Sequence, residues 1–108
     1  MNILITLSKN LLEKIISGEK EFVKRKFLPK HMNIGEDGFF VVEKGTDDIR
    51  CWCRVDDVIT ENYANIEKVY LWKIGKVIVF KQLYRDELIV DRNPQQFAYC
   101  ALSYGESF

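Results

Sequence analysis

The chain has 108 residues and a mass of 12.7 kDa, enough for one domain spanning residues 1–108 with a core of its own. Lysine and arginine total 16, aspartate and glutamate total 16, and the formal net charge is +0, which excludes a uniformly basic, histone-like binder and a polyacidic tail. A composition of 47% apolar and 13% aromatic residues with two prolines argues against disorder. No stretch approaches the roughly 20 apolar residues of a bilayer span. Residues Met1–Leu7 lack the basic flank and the length of a secretory leader. The expected setting is cytoplasmic, with no membrane partner.

In chain order, Asn2 to Leu7 alternates, with Ile3, Ile5 and Leu7 on one face, which predicts a strand. Ser8 reads as an N-cap, and Leu11, Leu12, Ile15 and Ile16 form an apolar stripe at helical spacing. Gly18 is placed to end that helix in the left-handed region. Glu21 to Phe27 reads as extended, until Leu28-Pro29 removes a donor. Gly35 and Gly38 bracket a turn. Phe39 to Val42 is an unbroken apolar run that suits a buried strand, and Gly45 to Asp48 reads as a turn.

Ile49 to Ile59 contains the clearest strand, with Ile49, Cys51, Cys53 and Val55 on one face and Arg50, Trp52 and Arg54 on the other. Thr60 to Lys68 reads as a loop or short helix. Val69 to Ile74 fits either a strand end or a helical turn, and Gly75 is expected to break it. Val77 to Leu83 is rich in β-formers, with Leu88 to Val90 returning beside it. Asn93-Pro94 has the chemistry of a short helical turn. Strands outnumber helices. The expected class is α+β: a small mixed or antiparallel β-barrel with one N-terminal helix and short helical turns.

Charge is unevenly placed along this neutral chain. From Gly18 to Lys30, five basic residues (Lys20, Lys24, Arg25, Lys26, Lys30) face two acidic ones, a local charge of +3. From Met32 to Glu67, three basic residues face nine acidic ones, a local charge of −6. The basic segment is where a phosphate backbone would be drawn, with salt-sensitive affinity. Lysines on an edge strand, which discourage aggregation, give the same pattern. Trp52 between Arg50 and Arg54 offers a second nucleic-acid feature, an aromatic plate beside guanidinium groups. The alternative is a Trp52 that closes a second packed layer, covered by the N-terminal helix. Trp72 and the tyrosines Tyr63, Tyr70, Tyr84, Tyr99 and Tyr104 are equally available plates.

Catalytic and metal sets are thin. His31 stands alone, without a partner to orient it. Asp47-Asp48 and Asp56-Asp57 do not converge by spacing, and there is no glycine-rich phosphate loop. Lys20 lies between Glu19 and Glu21 and reads as an ordinary ammonium. Cys51 and Cys53 share a strand face as small apolar fillers, and one Cys-x-Cys with one histidine falls short of a zinc set. No metal and no cofactor is expected.

The order strand, helix, Ile15-Ile16-Ser17-Gly18-Glu19-Lys20, with Arg25 shortly after, resembles the N-terminal signature of ASCH domains in the PUA-like superfamily: a helix ending in IxSGxK, then a strand with ExR. Asn93-Pro94-Gln95-Gln96-Phe97-Ala98-Tyr99-Cys100 resembles the Pro-Gln-x-Phe-x-Tyr ending of some PUA-like proteins. The resemblance implies a pseudo-barrel of about five or six strands with a cleft near the Gly18–Lys20 turn, and RNA or a modified nucleotide as partner. On that footing Lys20 and Arg25 line the cleft, Lys24, Lys26 and Lys30 contact phosphates, and Trp52, with Arg50 and Arg54 beside it, stacks a base. Some small ASCH proteins are hydrolases of N4-acetylcytidine that use a lysine, a threonine three residues later and a downstream glutamate. Lys20 matches the lysine, with Glu61 or Glu67 available as carboxylates. Val23 stands where the threonine would be and can neither donate nor attack. Binding is therefore the leading expectation, with an amidohydrolase of acetylated cytidine as the alternative. A protein-interaction module using the acidic middle is the third reading.

Overall fold

Seven strands pair into one mixed sheet in the order β2-β5-β4-β3-β1-β7-β6. They are β1 (Asn2–Leu7), β2 (Phe22–Arg25), β3 (Gly38–Glu43), β4 (Ile49–Tyr63), β5 (Glu67–Val79), β6 (Leu88–Val90) and β7 (Ala98–Leu102), with one helix, α1 (Lys9–Ile16), and a 3-10 turn at Arg85–Glu87. The structure is a computed structural model that describes residues 1–63, 67–90 and 98–102. β1 runs parallel to β3 and antiparallel to β7, and the other pairings are antiparallel. Val23 on β2 and Ile3 and Ile5 on β1 lie at positions separated by three strands, yet they share one buried cluster. A flat sheet would hold such strands apart, so the sheet curls into a half-barrel, closing on itself around α1.

The first unit forms as its residues dictate. The Ser8 hydroxyl accepts from the Leu11 N–H, and Leu12 and Ile15 enter the core while Ile16 is half-buried. Leu11 departs from the expected stripe and is exposed. Gly18 takes φ +81°, a region costly for any residue with a Cβ, and ends the helix. The Lys20 N–H then closes onto the Lys14 carbonyl, 3.0 Å away, and turns the chain into β2.

Both faces of the sheet are packed. The larger core joins Ile3, Ile5, Leu7, Leu12, Ile15, Val23, Phe39, Val41, Cys51, Cys53, Val55 and Trp72 under α1. The smaller one, on the opposite face, joins Leu4, Phe40, Val42, Ile49, Trp52 and Leu83. This is why Phe39 to Val42 is apolar throughout: each residue is buried, on alternate sides. Ile49 departs from the expected face. Val41 pairs with Cys51 but Val42 pairs with Ile49, so β4 carries an extra residue, Arg50, and Ile49 turns to the Trp52 side.

The largest correction concerns β4 and β5. The expected loop at Thr60 to Lys68 is largely strand: β4 continues to Tyr63, and β5 starts at Glu67. Val69 to Ile74 is strand, and Gly75 does not break it. Instead, the hairpin contains two facing irregularities. Cys53 pairs with Val77, Val55 with Ile74, and Asp57 with Lys73. Extra residues fall first on β5, at Gly75 and Lys76, then on β4, at Asp56, and the two offsets cancel. Each strand changes face as it passes. Cys51, Cys53 and Val55 face the main core before the irregularity, and Val58 packs against that core after it. On β5, Tyr70 and Trp72 face it on one side and Val77 on the other. A Cβ on Gly75 would fall 2.2 Å from an Asp56 carboxylate oxygen, so the glycine makes room for that carboxylate. Arg54 holds Asp56 from its other side, with Nε donating at 2.6 Å, and keeps its carboxyl below the usual range.

β6 pairs with β7, not with the Val77–Leu83 segment as expected. The expected turn at Asn93-Pro94 and most of the Pro-Gln-x-Phe-x-Tyr match lie outside the described residues. With β6 counted, the sheet has seven strands, not five or six.

Two glycines give a graded test of this geometry. A Cβ on Gly38 would lie 1.9 Å from the Cys53 carbonyl oxygen and 2.7 Å from its carbon, a backbone clash that only separation of β3 from β4 relieves. Gly38→Ala is expected to cost about 3 kcal/mol, while Gly75→Ala, which needs only the Asp56 side chain to swing away, costs about 1 kcal/mol. Urea unfolding of both variants against the unaltered chain checks the order.

Candidate nucleic-acid interface

β2 is an edge strand, hydrogen-bonded to β5 alone, and the chain continues from it as Lys26-Phe27. Val23 points into the core opposite Trp72, and two residues on, Arg25 lies opposite Tyr70 on the same face of the sheet. A cleft of about 520 Å³ opens along this end of the strand, lined by Lys24, Arg25, Lys26, Phe27 and Val69. It therefore lies at the end of β2 remote from the Gly18–Lys20 turn, where the resemblance had placed it. Among the described residues, three of its five lining residues are cationic and none is acidic. Phe27 meets Trp72 edge-on, with ring centroids 5.4 Å apart, and packs against the main core.

Arg25 is half-buried, and burial lowers its pKa from the ordinary guanidinium value. Its Nε and Nη2 atoms are buried and have no hydrogen-bond partner. One place inward, the indole Nε1 of the fully buried Trp72 is also without a partner. Three buried donors thus stand on one face of two adjacent strands, and the protein supplies them with no acceptor. Leaving a charged donor in this state costs on the order of 1–3 kcal/mol or more, so the arrangement is destabilising unless a ligand or water answers it. Lys24 and Lys26 are exposed on the same strand end. Lys26 reaches Glu67 at 3.1 Å, but both side chains are more than half in water, and such a pair is worth little.

The remaining predicted residues are dispersed. Lys20 is half-buried at the turn before β2 and does not line the cleft. Lys30 is exposed in the loop beyond β2. Trp52 is 6% exposed and donates its indole N–H to the Asn2 side-chain oxygen at 3.1 Å, so it offers no free face to a base. Its layer is closed by Leu83, Ile78 and Phe80, not by α1, which covers the other face. The same Asn2 oxygen accepts from the Gly38 N–H at 2.9 Å, tying β1, β3 and β4 together. Arg50 donates to Glu43 and Arg54 to Asp56, each at 2.6 Å. Among the alternative plates, Trp72 is buried and Tyr70 packs against the main core. Tyr84 is exposed beside a separate cleft with Asp47, Arg85 and Asp86.

Part of the acidic middle is engaged locally. Glu43 and Asp56 are taken up by arginines, and Glu67 pairs with Lys26. Phe27, Val69 and the Trp72 N–H were not among the predicted site residues. Their part depends on which β5 residues lie opposite β2, and no local pattern reports that. Among the described residues, no group of three or more histidines, cysteines and acids could hold a metal. No described helix is long and apolar enough to cross a membrane. Cys51 and Cys53 are fully buried on one strand face, as expected, with their sulfurs 3.9 Å apart.

The chain is similar in fold to the ASCH protein of Zymomonas mobilis, whose crystal structures include the unaltered protein and two mutants, one serine-to-alanine and one tyrosine-to-phenylalanine. Each matches with a TM-score of 0.64 at 10% sequence identity, over 79% of this chain and 74–76% of the other. No protein-family model matches the sequence, and no curated protein does. The half-barrel with one helix is thus the small α+β, PUA-like fold of ASCH domains, although few residues are shared.

The thiol pair gives a pH test with a definite sign. Contact with Cys51 and burial push the Cys53 thiol far above its ordinary value. An unfolded thiol titrates near about 8.5, so the folded chain keeps a proton that the unfolded chain loses. The contribution is complete below that pH and is lost above it. The urea midpoint is expected to fall between about pH 8 and pH 10, more steeply in the unaltered chain than in a Cys51→Ala, Cys53→Ala double variant, which removes the raised thiol together with the partner that the same contact lowers. Parallel profiles would show that the pair releases its protons as freely in the folded state as in the unfolded one.

Proposed function

From the ASCH fold of this chain and the unanswered cation in its cleft, we propose that the domain binds RNA along the end of β2. The observation that carries this reading is Arg25: a half-buried guanidinium with two buried N–H groups and no acceptor, between two exposed lysines in a cleft whose described lining residues include no acid. A polyanion answers the Arg25 guanidinium and is drawn to the two exposed lysines beside it, and a guanidinium meets phosphate or base edges with paired donors where a lysine cannot. RNA is also the partner that the ASCH resemblance implies. Lys20 and Lys30, at the two ends of the basic segment, extend the cationic track. Lys26 exchanges its exposed contact with Glu67 for a phosphate at little cost.

The amidohydrolase reading gains nothing from the geometry. Val23 lies in the core, 3% exposed, and Lys20 stands away from the cleft. The interaction-module reading draws on the acidic middle, of which Glu43, Asp56 and Glu67 are taken up by local ion pairs.

The test is fluorescence anisotropy of a labelled RNA oligomer titrated with the protein over a range of salt. Binding is expected to weaken as salt rises, each phosphate contact contributing about −0.7 to the log–log slope for a single strand. Lys24→Ala and Lys26→Ala should each flatten the slope by about that amount. Arg50→Ala, which removes an arginine already paired with a carboxylate, should leave it unchanged. A titration flat at low salt would refute the proposal.

A further inference from the structure

The unpartnered edge of Arg25 is a specific one. Nε and Nη2 carry the two parallel N–H groups on one side of the guanidinium, the fork that makes bidentate hydrogen bonds. Among the described residues no carboxylate pairs with Arg25, whose fork lies buried at the wall of the cleft it lines, so reading a ligand there requires rotation about its terminal torsions to turn the fork outward. Phe27 makes an apolar wall beside it, and the cavity of about 520 Å³ is within the size range of small-ligand sites. A phosphate left in the backbone would have to shed its water to follow the fork beside Phe27. The exposed ammonium groups of Lys24 and Lys26 offer that phosphate a wetter partner. A flat base inserted edge-first meets both the fork and the apolar wall.

We propose that Arg25 reads a nucleobase edge that carries two adjacent acceptors, so that the domain prefers guanine and cytosine to adenine and uracil. The inference rests on the RNA-binding reading and goes further, since phosphate contacts alone carry no sequence information. The chemistry selects the bases. Guanine presents O6 and N7 side by side, and cytosine presents O2 and N3. Adenine places an amino donor beside N7 and N1, and uracil places an N–H between its two carbonyls. A fork of two donors satisfies the first pair of bases and meets a like group on the second. The Trp72 N–H, on the same face and one place inward, adds a third donor and no acceptor.

The experiment uses the whole chain and four labelled oligomers of about ten nucleotides: oligo(A), oligo(U), oligo(C), and oligo(A) carrying a single central guanine. Anisotropy at low salt is expected to show oligo(C) and the guanine-bearing oligomer bound about tenfold more tightly than oligo(A) and oligo(U). Comparison among the oligomers needs no variant, so the result does not hang on how a substitution folds. Arg25→Lys, which keeps the charge and loses the fork, is expected to erase the preference while salt-sensitive binding persists. Equal affinity for all four, lowered equally by Arg25→Lys, would overturn the base-reading proposal and leave RNA binding in place. Absence of binding to any oligomer would overturn both.

Discussion

The paired irregularity at Asp56 and Gly75 is the constraint on which the rest of the molecule depends. A strand presents alternate residues to alternate faces, and a hairpin as long as β4–β5 would keep one face throughout. Here one extra residue on each strand reverses that alternation midway and restores the pairing beyond it. The half near β3 gives Cys51, Cys53 and Val55 to the main core, while the outer half gives Val58, Tyr70 and Trp72. β2 can then fold back on the outer half with Val23 against Trp72, and Arg25 follows it onto the inner face. Without the reversal, the inner face of β5 would present Lys73 in place of Trp72, and Val23 would lose the ring it packs against. Arg54, Asp56 and Gly75 hold this point through a short ion pair and a missing Cβ.

The second feature to weigh is the cost of Arg25. Two other arginines are paired, Arg50 with Glu43 and Arg54 with Asp56. Arg25, the most enclosed of the three, is left without a counter-charge while nine acids stand within the middle segment. An unanswered half-buried guanidinium lowers stability, and apolar packing around it has to offset the loss. Trp72, Phe27 and Phe39 supply that packing as a cluster of rings around one buried indole. The cleft therefore has a packed floor and one unsatisfied cation, an arrangement in which the ligand brings the missing acceptors.

Much of the fold is legible in the sequence, and the gaps have physical causes. β1, the Ser8 cap, the Gly18 exit and the buried β3 follow from period, cap chemistry and apolar runs, which are local signals. Reading the middle of the chain fails where the period itself changes. Arg50 as an extra residue moves Ile49 to the other core, and the Asp56–Gly75 reversal makes β5 look undecided between strand and helix. Gly75 reads as a breaker because a glycine that accommodates a neighbouring carboxylate has the same letter as one that ends a strand. At the site, the basic segment shows in the charge count, and Lys24, Arg25 and Lys26 do share a cleft. Trp52 is misread because its cover, Leu83 and Phe80, lies some thirty residues away in the chain. The orphaned donors of Arg25 are not legible at all, since an absent partner leaves no mark in a sequence.

The placement of β1 has a consequence for how the molecule comes into being. β1 lies inside the sheet, between β3 and β7, with Ile3, Leu4 and Ile5 all buried. Its parallel partner starts at Gly38, and its other edge is completed by Asn2–Leu4 pairing with Ala98–Cys100. Local hairpins close within microseconds, so β4 and β5 can pair as soon as both have been synthesised. The other edge of β1 stays open until residues near the far end of the chain arrive. On a ribosome, this domain passes through a stage with most of its core assembled and one apolar strand edge bare. During that interval the same edge can accept the equivalent strand of a neighbouring nascent copy, and exchange of β7 between chains is the hazard that this topology carries from birth.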